Sequence, residues 1–421
     1  MSSFRNQSIE KIETFIFYSM CGFAFFCSLS VFVSNIFLAL SILGFIYRLI
    51  QKHDDWREML MPKAVLYPFL AMWVIVIVSA LCSEEIRRGI SIFFDHYLYR
   101  SLPAFIILLT VRDKKRIVRL AICLGLSIIV NGLIGISQSV IAIGDYASRH
   151  SGIIHYMMQA TILAMTIPIF FIAALRENEP RCKCAAIIAF LIAVVAMIFN
   201  SRRGAWVAVA ITLPIVSYFA VQAKRKWFMG MGAVIVLIAV IFAVSPGFDD
   251  RLETITDPTE HSRTERLLIW QSAINMYADH PLLGVGPGQF GREYRGKYIL
   301  PEATERTLGH AHNIYLGVLS ECGTLGGAAF IVFWVCLFAS TIRAYHRTHD
   351  IAYIVILSAA LGLALHGVTE YTWGATLTMK FFWTILGLSY AWARADKETL
   401  KLGSQTSHMQ NTCEALQNLH F

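Results

Sequence analysis

The sequence contains few charged residues: Asp, Glu, Lys and Arg make up 15% of its 421 positions, while 56% are hydrophobic. A soluble protein of this length could not bury so large an apolar fraction, whereas a lipid bilayer can accommodate it. The sequence also lacks a polar stretch long enough to form a separate soluble domain. The composition therefore predicts one membrane domain and excludes a series of soluble domains.

Motifs of several protein classes are missing as well. The nine cysteines are scattered, and Cys182 and Cys184 are separated by one residue, which is neither a zinc nor a redox spacing. We therefore expect no disulfide, no metal and no cofactor. The first apolar run lacks a small-residue cleavage site, which indicates a retained anchor. The net charge of +8 is typical of basic membrane-protein loops, so we expect no nucleic-acid partner.

The sequence has instead a long series of apolar runs. Because a spanning helix needs ~20 mostly apolar residues, the runs predict an all-α, polytopic integral membrane protein with about twelve transmembrane helices. The predicted spans are 14–31, 32–50, 64–82, 96–111, 117–143, 152–175, 183–200, 203–222, 227–245, 324–343, 351–369 and 375–393.

Basic residues alternate between the loops. With a cytoplasmic N-terminus, every loop that faces the cytoplasm contains Lys or Arg, as at Arg48, Lys114 and Lys224. The positive-inside rule then predicts that both termini are cytoplasmic. The resulting segments are N-terminal helices at 1–245, a periplasmic loop at 246–323, further helices at 324–394 and a polar tail at 395–421.

The predicted loop at 246–323 is the longest break in the apolar pattern, and loops longer than ~15 residues are usually functional. It contains a helix-like stretch from Arg263 to Tyr277. The glycines from Gly284 to Gly288 follow no strand, so they indicate a turn rather than a phosphate-binding loop. Its basic residues favour phosphate or carboxylate recognition, with surface ion pairing as the alternative. They are Arg251, Arg263, Arg266, Arg292, Arg295 and Arg306, with one lysine, Lys297.

Two arginines stand at the outer end of an apolar run. The segment Asn200–Gly204 places Arg202 and Arg203 at the membrane boundary. Charged side chains at this depth are costly and tend to be functional, and the alternative is that they extend toward the lipid headgroups.

Two histidines precede the span at 324–343. His310 and His312 are candidates for a proton acceptor, since histidine titrates near neutral pH. Their spacing is not that of an HExxH zinc site, although Glu321 could complete a metal set. His155 and His366 are interpreted as packed or cavity-lining residues.

Three motifs together resemble those of the O-antigen ligase and polymerase superfamily, and most closely those of the ligases. The motifs are Ser201–Trp206, similar to an SRGAW segment at a helix start; Arg266–Trp270 with His280–Gly286, similar to RxxxW…hPllGvG; and His312–Asn313 with Gly323–Gly326, matching HN-x9-GxxG. In the first of these motifs Arg203 occupies the family's arginine position, and Arg202 is adjacent to it.

The resemblance implies a GT-C-like glycosyltransferase of the bacterial inner membrane with a periplasmic active site. Such enzymes transfer a glycan from undecaprenyl diphosphate, and ligases place it on a sugar of the lipid A core, among membrane lipids. The reaction is expected to invert configuration and to need neither metal nor ATP. The resemblance implies His312 as general base, with His310, Asn313 and Glu321 supporting it, and a diphosphate site of Arg203 and Arg266 with the adjacent Arg202. Arg88 and Arg100, on an earlier outer segment, are further candidates to face the diphosphate or the acceptor's phosphates.

Three other functions stay open. An O-antigen polymerase would use the same donor, and a protein O-oligosaccharyltransferase would use a Ser or Thr of a protein as acceptor. The third alternative is a transporter of lipid-linked sugars. Transporters usually carry midplane charges and paired broken helices, whereas the polar residues of this chain collect at the outer face, which favours transfer.

Overall fold

The computed structural model describes residues 2–51, 61–141, 152–221, 224–225, 227–228 and 261–417. Within these ranges the regular elements are helices, and no strand occurs. Nearly all of the predicted span at 227–245 lies outside the described residues, as do Arg251 and the beginning of the predicted loop.

Fourteen α-helices, two π-helical turns and one 3₁₀ turn form the regular structure of the described residues. In order they are α1 (Ser2–Phe26), α2 (Val31–Gln51), α3 (Lys63–Leu81), α4 (Ile86–Ile92), a π-helical turn (Phe93–Leu98), a 3₁₀ turn (Tyr99–Ser101), α5 (Leu102–Thr110), α6 (Lys114–Ile141), α7 (Tyr156–Arg176), α8 (Pro180–Asn200), α9 (Arg203–Ala220), α10 (His261–Asp279), α11 (Phe290–Glu293), a second π-helical turn (Tyr294–Tyr298), α12 (Ile314–Thr348), α13 (Ile351–His366) and α14 (Thr376–Gln417).

Eight helical segments of the described chain are long and apolar enough to cross a membrane, namely α2, α3, the segment Ile86–Thr110, α6, α7, α8, α9 and α12. Each coincides with a predicted span, which confirms a helical, multi-span protein. The predicted spans at 14–31, 351–369 and 375–393 fall on α1, α13 and α14, and α13 has only 16 residues. The total of twelve spans stays a prediction.

The core of the bundle surrounds α13, which packs against α7, α9, α12 and α14. Close approach depends on small residues: a Cβ added to Gly362 would lie 2.5 Å from the carbonyl oxygen of Ala164 on α7. Small residues at crossings let helix backbones approach in lipid, where the hydrophobic effect does not drive association. The helix α13 is therefore packed closely against α7 near its end at His366.

A second, smaller core lies beside the bundle. Ile269 and Met276 of α10 pack with Phe290 and Tyr294 from the segment that follows. The predicted helix from Arg263 to Tyr277 is thus confirmed by α10. The predicted turn is confirmed as well, since Gly284, Gly286 and Gly288 all adopt positive φ.

The helix α12 is interrupted at Gly323, whose φ of 63° and ψ of −163° are not helical. A Cβ at this position would lie 2.3 Å from the carbonyl carbon of Leu282. The Thr324 N–H donates to the carbonyl of Pro281 at 2.8 Å, and the Ser79 hydroxyl of α3 donates to the carbonyl of Leu283 at 2.7 Å. The segment 261–322, which lies beside the bundle and is called the outer segment below, is therefore fastened to the bundle where α12 breaks.

Candidate active site

A buried carboxylate lies at the centre of a polar cluster at one end of the bundle. Glu370, in the connection between α13 and α14, is 3% exposed. Its Oε2 lies 3.3 Å from His312 Nδ1. Its Oε1 lies 3.4 Å from Arg266 Nη2 and 3.5 Å from Arg202 Nη1. These four residues are called the Glu370 cluster below, and the sequence singled out three of them.

The cluster holds Glu370 in its charged form. Burial alone would raise the pKa of this carboxyl, but the hydrogen bond with His312 and the charge of Arg202 outweigh burial and lower it. A carboxylate is therefore present at neutral pH. It accepts a hydrogen bond from His312 Nδ1, and this orients the imidazole with Nε2 as the nitrogen that can accept a proton.

The backbone around His312 is constrained. His312 has a φ of 48°, in the left-handed region that non-glycine residues seldom adopt. The next residue, Asn313, caps α12, since its side-chain oxygen accepts from the N–H groups of Tyr315 and Leu316. The N–H of Ile314 donates to the carbonyl of Gly367 at 2.8 Å. These bonds tie His312 to the connection that carries Glu370, and such strain is typical of functional sites.

The segment Ser201–Gly204, which contains Arg202 and Arg203 and joins α8 to α9, is also held by an unusual backbone conformation and close packing. Ser201 ends α8 with a φ of 57°, and the guanidinium of Arg202 lies over the ring of Tyr156 at 4.3 Å from its centroid. Close packing holds the beginning of α9, since a Cβ on Gly204 would lie 2.3 Å from the Thr369 hydroxyl oxygen. Arg202 contacts Glu370, and Arg203, the first residue of α9, is exposed.

His310 lies against His312, with the ring centroids 4.3 Å apart. It also stacks on Tyr371 at 4.8 Å, and its Nδ1 accepts from the His312 N–H at 3.4 Å. Burial and the neighbouring His312 lower the pKa of the His310 imidazole to about 4. His310 is therefore neutral at physiological pH and acts as a packing support for His312.

A cavity of about 400 Å³ opens beside the Glu370 cluster. The beginning of α7 forms one wall, and the connection from Glu370 to Ala375 forms the other. Its lining combines apolar and polar groups, including His155, Met158, Thr161, His310 and Tyr371. His366 is 1% exposed and shares a 2.8 Å hydrogen bond with Thr161. His155 and His366 are thus cavity-lining and packed, as predicted.

Glu321 lies elsewhere in the outer segment. Its Oε1 accepts from the N–H of Phe290 at 3.3 Å, and its carbonyl accepts from the N–H of Gly286. It therefore secures the glycine-rich turn, and the residue that meets the His312 ring nitrogen is Glu370.

The two remaining arginines of the expected diphosphate site differ in exposure. Arg100 is 2% exposed. Its Nη1 donates to the carbonyl of Gly374 at 2.7 Å, and its Nη2 donates to Asp95 at 2.6 Å. Arg88 is exposed and lines an open cavity of about 590 Å³ with Glu84 and Glu85.

Glu370 is the residue that sequence reasoning missed. A signal was present, because Glu370 is an isolated carboxylate in a short connection between two apolar runs, and ionisable residues at such depth are costly. It belongs to no recognised motif, however, and lies 58 positions after His312. Only the packing of α13 against α12 brings the two residues together.

Comparison with known proteins identifies a family for part of the chain. The family model described as O-antigen ligase matches residues 188–331. The matched segment contains Arg202, Arg266 and His312, while Glu370 lies beyond it. No curated protein matches the chain.

Proposed function

We propose that this chain, whose residues 188–331 match the O-antigen ligase family model, transfers a glycan from undecaprenyl diphosphate to a hydroxyl group of the lipid A core. The observation that carries the proposal is the Glu370 cluster, in which a buried carboxylate orients an imidazole beside two guanidinium groups. A base and a cationic site for phosphate are what glycosyl transfer from a diphosphate requires.

His312 acts as the general base in this proposal. Its Nδ1 donates to Glu370 at 3.3 Å, so Nε2 can accept a proton from the acceptor hydroxyl. The hydroxyl oxygen forms a bond to the anomeric carbon while the bond from that carbon to the diphosphate oxygen breaks. The electron pair leaves with the diphosphate, and attack from the opposite side inverts the configuration. Glu370 stabilises the imidazolium that results.

The arginines stabilise the leaving group. Arg266 has a side chain that is 31% exposed and can direct N–H donors to phosphate oxygens. Arg202 adds positive charge within the same cluster, and Arg203 is exposed one residue further on. Negative charge that accumulates on the diphosphate is thus met by fixed guanidinium groups in a partly buried site.

The proposed site is periplasmic, in a bacterial inner-membrane protein with cytoplasmic termini. Two lipids would supply the reactants: the polyprenyl chain of the donor would lie along the membrane helices, and the glycan would extend outward beneath α10 and its following segment. The 400 Å³ cavity beside Glu370 has the mixed apolar and polar lining that suits a sugar diphosphate.

A first experiment tests the transfer itself. Purified protein is incubated with an undecaprenyl-diphosphate glycan and a lipid A-core acceptor, and the product is separated on a gel. His312→Ala should reduce transfer by about 100-fold to 10,000-fold, the usual contribution of a general base. Equal activity of the wild type and a folded His312→Ala variant would contradict the assignment, and inactive wild-type protein would contradict the proposed function.

A second experiment separates ligase from polymerase. In a deletion strain a missing ligase leaves lipid A core without O-antigen, while long glycan accumulates on undecaprenyl diphosphate. A missing polymerase leaves core that carries one repeat unit. Lipopolysaccharide gels with a blot for the lipid-linked glycan distinguish these outcomes. An unchanged ladder together with loss of a glycosylated secreted protein would instead indicate protein glycosylation.

A further inference from the structure

Arg100 reaches from an irregular segment to the wall of the cavity. It follows the π-helical turn Phe93–Leu98, and its side chain is 3% exposed. One terminal nitrogen donates to the carbonyl of Gly374 at 2.7 Å, and the other donates to Asp95 at 2.6 Å. Gly374 belongs to the connection that carries Glu370 and Tyr371 and lines the cavity. A buried arginine thus joins this connection to Asp95.

Tyr99, the residue before Arg100, also contacts the beginning of α14 through Lys380. The Lys380 ammonium lies over the ring of Tyr99 at 4.4 Å from its centroid, and Lys380 also donates to the side-chain oxygen of Asn35. The Tyr99 hydroxyl donates to that oxygen at 3.2 Å. Two successive residues, Tyr99 and Arg100, therefore hold the chain on either side of Ala375. The π-helical turn Phe93–Leu98 directly precedes Tyr99 and Arg100, and such turns are frequent at functional sites.

We infer that Arg100 is a positioning residue for the proposed transfer, fixed by Asp95 and acting through the Gly374 carbonyl on the connection that carries Glu370. This assignment rests on the proposed function. It gives Arg100 a role different from direct binding of the diphosphate, since both of its terminal nitrogens are already engaged within the protein. Displacement of the connection would move Glu370 relative to His312.

The expected kinetic effect is on turnover. Small misplacements of a catalytic group cost about 100-fold in rate, so Arg100→Ala should lower kcat by about that factor. The KM for the donor should change little, because Arg100 donates to Gly374 and Asp95 within the protein and does not itself bind the donor. Arg100→Lys keeps the charge but reaches only one of the two partners, so it should restore part of the lost kcat.

The experiment measures kcat and KM of detergent-purified, full-length variants with an undecaprenyl-diphosphate glycan donor and a lipid A-core acceptor. Asp95→Asn should lower kcat in the same way as Arg100→Ala, and the double variant should be no worse than Arg100→Ala alone. In a Glu370→Gln background, Arg100→Ala should cost little further activity, since Arg100 acts through Glu370. Lys114→Ala, which removes a basic residue paired with Asp396 far along α14 from the connection, is the control and should keep kcat.

The possible results distinguish the proposed transfer activity from the positioning role of Arg100. Wild-type protein without transfer activity overturns the proposed function and, with it, the inference. Active wild type with unchanged kcat in Arg100→Ala and Asp95→Asn overturns the inference alone, as does a rise in donor KM at constant kcat, which indicates direct diphosphate binding. If Arg100→Ala does not accumulate, Arg100→Lys and Asp95→Asn provide the same test.

Discussion

At the scale of single residues, the site depends on one carboxylate that no motif contains. Glu370 is buried, ionised and hydrogen-bonded to the imidazole of His312. A histidine without such a partner can rotate and change tautomer, so the carboxylate keeps the base in its working orientation.

Glu370→Gln keeps the size of the side chain and removes its charge. We expect transfer to fall by about 100-fold or more, because the amide neither fixes the tautomer of His312 nor stabilises the imidazolium. The measurement is kcat of purified protein with the lipid-linked donor. Glu293→Gln, which removes a carboxylate paired with Arg292 outside the cluster, is the control and should keep kcat. Unimpaired Glu370→Gln protein would remove Glu370 from the mechanism.

The adjacent arginines Arg202 and Arg203 should respond differently to lysine. Arg202→Lys loses the contact of the guanidinium with the Tyr156 ring and the Nη1 contact with Glu370. We therefore expect kcat/KM for the donor to fall at least about tenfold. Arg203→Lys at an exposed position should have a smaller effect. Stronger impairment of Arg203→Lys than of Arg202→Lys, measured on equal amounts of folded protein, would reverse the assignment of the two positions.

The site residues that belong to sequence motifs could be predicted from the sequence. His312, Arg266 and the Arg202–Arg203 pair lie in three recognisable segments, and the structure brings His312, Arg266 and Arg202 to one point. Sequence reasoning could not find Glu370, because contact between α12 and α13 is a tertiary property. Nor could it show that Arg100 is buried with two partners, because its neighbours depend on the irregular turns between Phe93 and Ser101.

At the scale of helices and turns, the break in α12 decides where His312 lies. Gly323 adopts a left-handed φ and leaves no space for a Cβ against Leu282. The apolar pattern predicted a span from residue 324, but the short helix from Ile314 to Cys322 before it has no comparable sequence signal. Its position depends on backbone hydrogen bonds with residues 281–286.

Gly323→Ala should therefore destabilise the protein. The backbone conformation of Gly323, with positive φ and ψ near 180°, is essentially restricted to glycine and costs another residue about 1–3 kcal/mol, and the contact 2.3 Å from the Leu282 carbonyl carbon adds to this. We expect a lower midpoint of thermal unfolding in detergent and reduced transfer, because the segment carrying His312 is displaced. Gly296→Ala, where a Cβ would meet open space, is the matched control. Equal thermal stability of both variants would contradict this account of the break.

At the scale of the whole molecule, the two ends of the helix bundle carry different polar groups. The Glu370 cluster lies where α8 and α13 end and where α9 and α12 begin. At the opposite ends of helices, Lys114 pairs with Asp396 at 2.5 Å, and Arg394 donates to the carbonyl of Val111. Lys114 and Arg394, two of the basic residues that predicted a cytoplasmic side, thus lie at the end of the bundle away from the cluster.

This separation gives a topology test. In a variant without native cysteines, Thr307→Cys lies in the outer segment and Lys115→Cys at the exposed beginning of α6. An impermeant thiol reagent applied to intact spheroplasts should label position 307 and leave position 115 unlabelled until the membrane is opened. The reverse pattern would place the Glu370 cluster in the cytoplasm and contradict the periplasmic site.

The location of the Glu370 cluster at the ends of membrane helices has a consequence for how the enzyme meets its reactants. In the proposed function, donor and acceptor are both anchored in one leaflet, so they approach the cavity by lateral diffusion within a thin layer. Their confinement raises the effective concentration at the site far above the average over the whole volume. Reaction rates in proteoliposomes should accordingly follow the mole fraction of donor in the lipid, and adding empty vesicles that do not fuse should leave them unchanged.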